Sequence, residues 1–183
     1  MPFQTRPVFD TRRAAASEFG DLPEWDLRDL YPSPDGPEFD RDMEWLGQAC
    51  ADFAARYEGK LASLSAADLL SCVETYEAIE ITAGRLMSYA GLRYYQNTMD
   101  SERAKFMADA QDEVTTATTA LVFFALEFNR LEDAHLSNLL AQNEGLARYK
   151  PVFDRMRAMR PHQLSDEMER FLHDASVVGA SAW

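Results

Sequence analysis

The chain has 183 residues, of which 46% are hydrophobic, and its 31 acidic against 18 basic side chains give a formal net charge of −13. That length suits one domain with a sizeable core, and the acidic balance argues against a nucleic-acid partner. No run of about eighteen apolar residues is present to cross a membrane, so none is expected as a partner. Residues 1–21 show no sustained period and read as a mobile arm. Asp10 and Glu18 argue against a transit peptide, and no apolar block follows Arg12 and Arg13 as a secretory signal would need. The segment with Trp25, Leu27, Leu30 and Tyr31 ahead of Pro32 is expected to be a short turn of helix anchored on a bundle.

A first long helix should open at Pro37, which is tolerated in a first turn, and stop at Gly59. Its buried face is Phe39, Met43, Leu46, Cys50, Phe53 and Tyr57, at steps of three and four. Ser65 is a good N-cap for a second helix, with Asp68 three residues on, and Leu69, Cys72, Tyr76, Ile79, Ala83, Leu86 and Ala90 form its seam. Gly84 and Gly91 inside it suggest close helix contact or a bend. Asp100 caps a third run, in which Met107, Ala110, Val114, Ala117, Leu121, Phe124, Phe128 and Leu131 alternate steps of three and four without interruption. We read it as one continuous helix of roughly 45 Å. The joint around residues 97–100 permits only a reversal, so 65–97 and 100–131 form an antiparallel αα-hairpin. The fold class is therefore all-α, an elongated bundle built on that hairpin, with shorter C-terminal helices.

Beyond Leu131 the pattern predicts helices from Asp133 to about Ala141 and from about Leu146 to Met159, with Pro151 in the early turns of the latter. Lys150, Arg155, Arg157 and Arg160 make the one basic cluster, best explained by solvation or intramolecular acidic partners, with a peptide carboxylate as the bolder reading. Ser165 caps a last helix whose first turn holds Asp166, Glu167 and Glu169. Cys50 and Cys72 are too few for a disulfide framework and suit a reducing, cytoplasmic setting. Glu132 with His135 has the Glu-x-x-His spacing of a di-iron bundle, but that site needs a second copy and two more glutamates. Glu169 and His173 share a helix face, yet two ligands do not close a zinc site. Thr115, Thr116, Thr118 and Thr119 flank the seam, where bonding back to the helix backbone accounts for them.

The wording of four stretches carries a further signal. They are Trp25-Asp26-Leu27 with Asp29-Leu30-Tyr31, then Tyr57-Glu58-Gly59-Lys60-Leu61, then Phe123-Phe124-x-Leu-Glu127, and the tail from Pro161 and His162 through Ser165 and Glu169 to Trp183. In that order they resemble the N-terminal helical domain, and its join to the catalytic domain, of oligoendopeptidase F, among the thimet-oligopeptidase-like zinc metallopeptidases. The resemblance implies that 22–160 is this helical domain and that 161–183 begins the connection to a catalytic domain outside the chain. It implies a lid and wall of a channel admitting short peptides, with the catalytic domain as partner and zinc held there on a His-Glu-x-x-His helix. That motif is absent here: His135, His162 and His173 are the only histidines, and no two stand four apart. No catalytic or metal-binding residue is therefore assigned within the chain, and it alone is not expected to be an enzyme. The expected interdomain contacts are His162, Glu169, Phe171 and Trp183. With Leu172, Val177 and Val178 they make a tail that lacks cover within the bundle and is open to fraying or self-association. The competing reading is a stand-alone helical interaction or dimerisation module.

Overall fold

A computed structural model describes residues 25–179; the expected arm at 1–21, the onset of order at Leu22, and Trp183 lie outside the described residues. The described residues are all-α, with no strand among them. Helix α1 is Pro37–Tyr57, α2 Ala66–Gln96, α3 Ser101–Thr118, α4 Val122–Arg130, α5 Asp133–Gln142, α6 Glu144–Ala147, α7 Lys150–Ala158 and α8 Asp166–Ala175. Each expected cap is in place. Ser65 accepts the amide of Asp68, Asp100 accepts those of Glu102 and Arg103, and Ser165 accepts that of Met168. These contacts satisfy amides that a helix start otherwise leaves unpaired.

Helices α2 and α3 fold back on each other and α1 packs across both. The core is the meeting of the three seams: Phe39, Leu46, Cys50, Phe53 and Tyr57 from α1, Leu69, Cys72, Ile79, Ala83, Leu86 and Ala90 from α2, and Ala110 and Val114 from α3 are buried. Aromatic rings fill its lower half. Phe124 stacks on Tyr76 with centroids 4.4 Å apart and meets Phe53 edge-on at 5.8 Å, while Phe128 lies 4.6 Å from Phe153 of α7. Such offset and edge contacts stabilise beyond the area they bury.

The continuous third helix expected over 100–131 is not found. A 3-10 turn at Thr119–Leu121 separates α3 from α4. Its cause is the threonine run. The Thr118 hydroxyl donates to the carbonyl of Val114 at 2.8 Å and that of Thr119 to Thr115 at 2.9 Å. These hydroxyls compete for the carbonyls that the backbone ladder would use, in a stretch already stiffened by β-branching. The seam survives the break, because Leu121, Phe124, Phe128 and Leu131 all remain buried.

The single helix expected from Leu146 to Met159 is also divided. Asn143 caps the short α6 through the amide of Leu146, and α7 starts afresh at Lys150. Pro151 has no N–H to donate to the Ala147 carbonyl, so a continuous ladder is lost there. Gly84 does not mark the expected close contact, since a Cβ built on it would meet nothing within 4 Å, and at Gly91 it would meet the Tyr95 ring at an ordinary 3.8 Å. Trp25 is exposed, whereas Tyr31 is fully buried and does the anchoring. Its hydroxyl donates to Asp42 at 3.0 Å, and Arg85 lies 4.3 Å over its ring while donating to the Leu30 carbonyl at 2.9 Å. Burial, ahead of the bond to Asp42, pushes the Tyr31 hydroxyl up to about 12.

Phe124→Ala should cost about 3 to 5 kcal/mol, as large core truncations do, and Glu113→Gln on the exposed face of α3 under about 0.5 kcal/mol. Gly84→Ala should stabilise by about 1 kcal/mol, because open space receives the methyl and the helix gains propensity. Urea midpoints of the three variants against the parent check all three values.

Candidate functional site

Three of the four stretches that carry the family wording meet at the lower end of the bundle, and the fourth is anchored separately at the upper end. At the lower end of the bundle, Gly59 leaves α1 with φ 77°, in the left-handed region that glycine enters without strain. The carboxylate of Glu127 on α4 accepts its amide at 2.6 Å and that of Leu61 at 3.4 Å. Lys60 turns back to donate to the carbonyls of Ala55 and Arg56 at the end of α1, and Glu58 pairs with Arg170 of α8 at 2.6 Å. The loop after α1, the end of α4 and the start of α8 are thereby tied together. At the upper end, the anchor at Tyr31 joins the residues before α1 to α1 and α2 through Asp42 and Arg85.

Helix α8 is the unusual element. At helical spacing, Asp166, Arg170, His173 and Asp174 fall on one side, and Met168, Phe171, Leu172 and Ala175 on the other. The polar side faces the bundle. Arg130 grips Asp166, the Thr119 hydroxyl shares its one proton between the Thr115 carbonyl and Asp174 at 2.7 Å, and His173 Nε2 lies 3.2 Å from the Thr118 hydroxyl and 3.3 Å from the Thr115 carbonyl. The apolar side faces water, with Phe171 63%, Leu172 47% and Met168 46% exposed. The threonines that break the third helix are thus the ones that receive α8.

Of the expected interdomain contacts, Phe171 stands outward, and His162 is exposed in the 3-10 turn Arg160–His162. Glu169 is half-buried and accepts the amide of Leu164 at 2.9 Å, closing the cap in front of α8. The backbone amide of His162 donates to the Met159 carbonyl at 2.9 Å. Three of the four basic-cluster side chains, Lys150, Arg157 and Arg160, find acidic partners in their own chain. Arg157 donates to the carbonyls of Phe128 and Leu131 and pairs with Asp133, which also meets Arg160 at 3.4 Å, and Lys150 pairs with Asp154 at 2.6 Å. Arg157 thereby satisfies the last carbonyls of α4.

Two clefts lie near these elements. One, of about 350 Å³, runs between α2 and the α3–α4 break and is lined by Tyr76, Glu80, Gly84, Met87, Thr118, Leu121 and His173, among others. The second, of about 360 Å³, is lined by Asn129, Arg130, Arg160, Gln163 and Leu164. Neither was visible in the sequence: Thr118 and His173, like Asn129 and Gln163, stand too far apart along the chain for any motif to join them. No group of three histidine, cysteine, aspartate or glutamate side chains able to hold a metal ion occurs among the described residues. Cys50 and Cys72 are buried, and burial raises their thiols to about 11 and about 12, which keeps them protonated. The described residues therefore do not fit a zinc ion.

Comparison with known proteins gives a consistent picture. A family described as Oligopeptidase F matches residues 127–183. Oligopeptidase PepF of Bacillus subtilis (strain 168) is 28% identical over 159 residues, covering 86% of this chain and 23% of that protein. Group B oligopeptidase PepB of Streptococcus agalactiae serotype III (strain NEM316) is 24% identical over 159 residues, covering 87% of this chain and 26% of the relative. The crystal structure of oligoendopeptidase-F from Enterococcus faecium shares the fold with a TM-score of 0.69 at 22% identity, over 77% of this chain and 28% of that one. The chain thus spans about a quarter of the length of the relatives it matches. In fold and in sequence the chain is similar to part of these oligopeptidases. More narrowly, the likeness is to the N-terminal part of an oligoendopeptidase F family peptidase.

The hydrogen bond from Arg130, followed by its charge, holds the Asp166 carboxyl below the ordinary 3.8. A depressed carboxylate contributes to the docking of α8 above its unfolded value and loses that contribution as pH falls through the folded one. Asp166 should therefore titrate below 3.8, with the amide signals of residues 166–175 moving together, and Arg130→Gln should return it toward the ordinary value. An NMR titration between about pH 6 and pH 2 reads both. An unshifted Asp166 in the parent would show that this ion pair does not hold α8.

Proposed function

We propose that this chain is the substrate-side helical part of a longer oligoendopeptidase F-type metalloendopeptidase, forming a wall and lid of the space that admits short peptides. The catalytic part, with its zinc and His-Glu-x-x-His helix, belongs to sequence outside these 183 residues, and the work is placed in the cytoplasm. The observation that carries the reading is α8: a helix that turns ionic groups inward and Met168, Phe171 and Leu172 outward is built to be covered from its far side. Each outward side chain left in water is unfavourable by about 25 cal/mol per Å² of apolar surface. The face continues through Val178, which is also exposed. The likeness to oligopeptidases favours the remainder of such an enzyme as the partner.

The first test is to read the gene beyond Trp183. A downstream His-Glu-x-x-His segment is expected, and a stop codon directly after Trp183 would overturn the proposal in favour of the stand-alone interaction module. In the full-length protein, quenched short peptides should be cut and folded proteins spared. The Phe171→Asp, Leu172→Asp double variant should leave the stability of the 183-residue chain within about 0.5 kcal/mol per site, as exposed positions do, yet lower full-length peptidase activity by at least about tenfold, equivalent to about 1.4 kcal/mol. Unchanged activity would show that this face does not meet the catalytic part. Sedimentation of the 183-residue chain at two concentrations reports whether the same face pairs two copies.

A further inference from the structure

A cleft of about 280 Å³ at the upper end of the bundle, bordered by the segment before α1, the end of α2 and the start of α3, gathers hydrogen-bond donors that the fold leaves unused. Tyr89 of α2 is 3% exposed, its ring held by Tyr31, Phe39 and Phe106 at centroid distances of 5.3, 5.9 and 6.2 Å. Its hydroxyl has no hydrogen-bond partner among the described residues and is not closed off from solvent, so the little surface that Tyr89 keeps opens on the cleft it lines. One turn on, Arg93 is half-buried in the same lining, and its side chain makes no ion pair or hydrogen bond among the described residues. Its guanidinium lies 5.3 Å from the Phe106 centroid, its Nε is buried without an acceptor, and its two terminal nitrogens stay accessible. A cation partly withdrawn from water and unpaired is unfavourable until an anion reaches it. Arg103 of α3 is tied beside it: Nη1 donates to the Arg93 carbonyl at 3.1 Å and to Gln96 Oε1 at 2.9 Å, which leaves Nη2 without a partner.

Hydroxyl and guanidinium donors around one space call for an oxyanion. Charge sets its valence. Of the cleft's three arginines, Arg28 is matched by Asp26 and Arg103 faces Asp100 at 3.5 Å, so Arg93 alone adds an unmatched positive charge. That suits a carboxylate better than a doubly charged phosphate. The acceptors beside these donors are already taken: Asp26 by Arg28, Gln96 Oε1 and the Arg93 carbonyl by Arg103, and the Trp25 carbonyl by Gln96 at 3.1 Å. A chain-end carboxylate would bring an amide N–H that none of them can accept, whereas a glutamate side chain brings methylenes, for which Trp25, Leu27 and Pro32 form an apolar wall. We propose that this cleft binds the side-chain carboxylate of an acidic residue in a short peptide, held by the terminal nitrogens of Arg93, Nη2 of Arg103 and the hydroxyl of Tyr89. The choice of a peptide as bearer rests on the oligopeptidase reading above. With a formal net charge of −13 the chain as a whole repels anions, so preference for an acidic residue comes from this local array.

The test uses the 183-residue chain with N-acetyl-Ala-Glu-Ala-amide, its Gln counterpart, N-acetyl-trialanine as the free acid, and inorganic phosphate. Titration calorimetry should give the glutamate peptide a Kd on the order of 1 mM, with the other three weaker by at least about tenfold. In NMR the Nε–H signals of Arg93 and Arg103 should move with the glutamate peptide. Arg93→Gln should weaken that peptide by at least about tenfold, and Tyr89→Phe, which keeps the core ring, by at least about threefold. Arg148→Gln, which removes the same charge from an exposed position between α6 and α7, should leave it within about twofold. If urea midpoints show Arg93→Gln to be unfolded, Tyr89→Phe decides alone. Equal binding of the glutamate and glutamine peptides, tighter binding of the free acid or of phosphate, an equal loss with Arg148→Gln, or no response at about 10 mM peptide would each overturn the proposal. Failure here together with a His-Glu-x-x-His segment downstream would remove the cleft and leave the oligopeptidase reading standing. Specific binding of the glutamate peptide with no such segment would do the reverse.

Discussion

The carboxylate of Glu127 is the constraint on which the lower half of the molecule depends. Where α1 ends, the chain turns through Gly59 and exposes two amides, and a side chain 68 residues later accepts both. With Glu127 in place, the loop after α1 is fixed against α4, which places Phe123 and Phe124 against Phe53 and sets Glu58 where Arg170 can reach it. An ionised acceptor bonded to backbone amides is among the stronger hydrogen bonds available to a protein. It also explains why two stretches distant in sequence, Tyr57-Glu58-Gly59-Lys60-Leu61 and Phe123-Phe124-x-Leu-Glu127, carry the family likeness together: they are two halves of one contact.

Much of the bundle was legible because its signals are local. The faces of α1 and α2 follow from residues three and four apart, and the caps at Ser65, Asp100 and Ser165 from a side chain acting on amides two or three residues on. The break at Thr119–Leu121 was hidden because periodicity records which side chains are apolar and is silent on where a hydroxyl donates. The division between α6 and α7 could have been read from Pro151, whose missing donor falls too late in a helix begun at Leu146 to be harmless.

The C-terminal helix was legible differently. An uncovered C-terminal helix was expected from Phe171, Leu172 and Val178, and those side chains are exposed. What the sequence did not reveal is that α8 stays docked despite this, through ionic and hydroxyl contacts on its polar side. An amphipathic pattern alone predicts the opposite orientation, apolar side inward. The sign is reversed because the surface offered by the bundle at that point is itself polar: Thr115, Thr118, Thr119, Arg130 and Glu58. Asn129 and Gln163 were equally out of reach, since their lack of partners is a property of three-dimensional packing.

The inverted seat of α8 makes dissolved salt act on its two faces in opposite senses. The Arg130–Asp166 and Arg170–Glu58 pairs are all close to half exposed, so ions at about 0.15 M already screen them over roughly 8 Å. Strongly hydrated anions such as sulfate, by contrast, strengthen burial of an apolar face against whatever covers it. Sodium chloride would thus loosen the helix from its own bundle, and ammonium sulfate would favour withdrawal of its outer apolar face from water. A helix held on one side by charge and showing an oil-like surface on the other answers to the choice of ion on both faces, with no change of sequence.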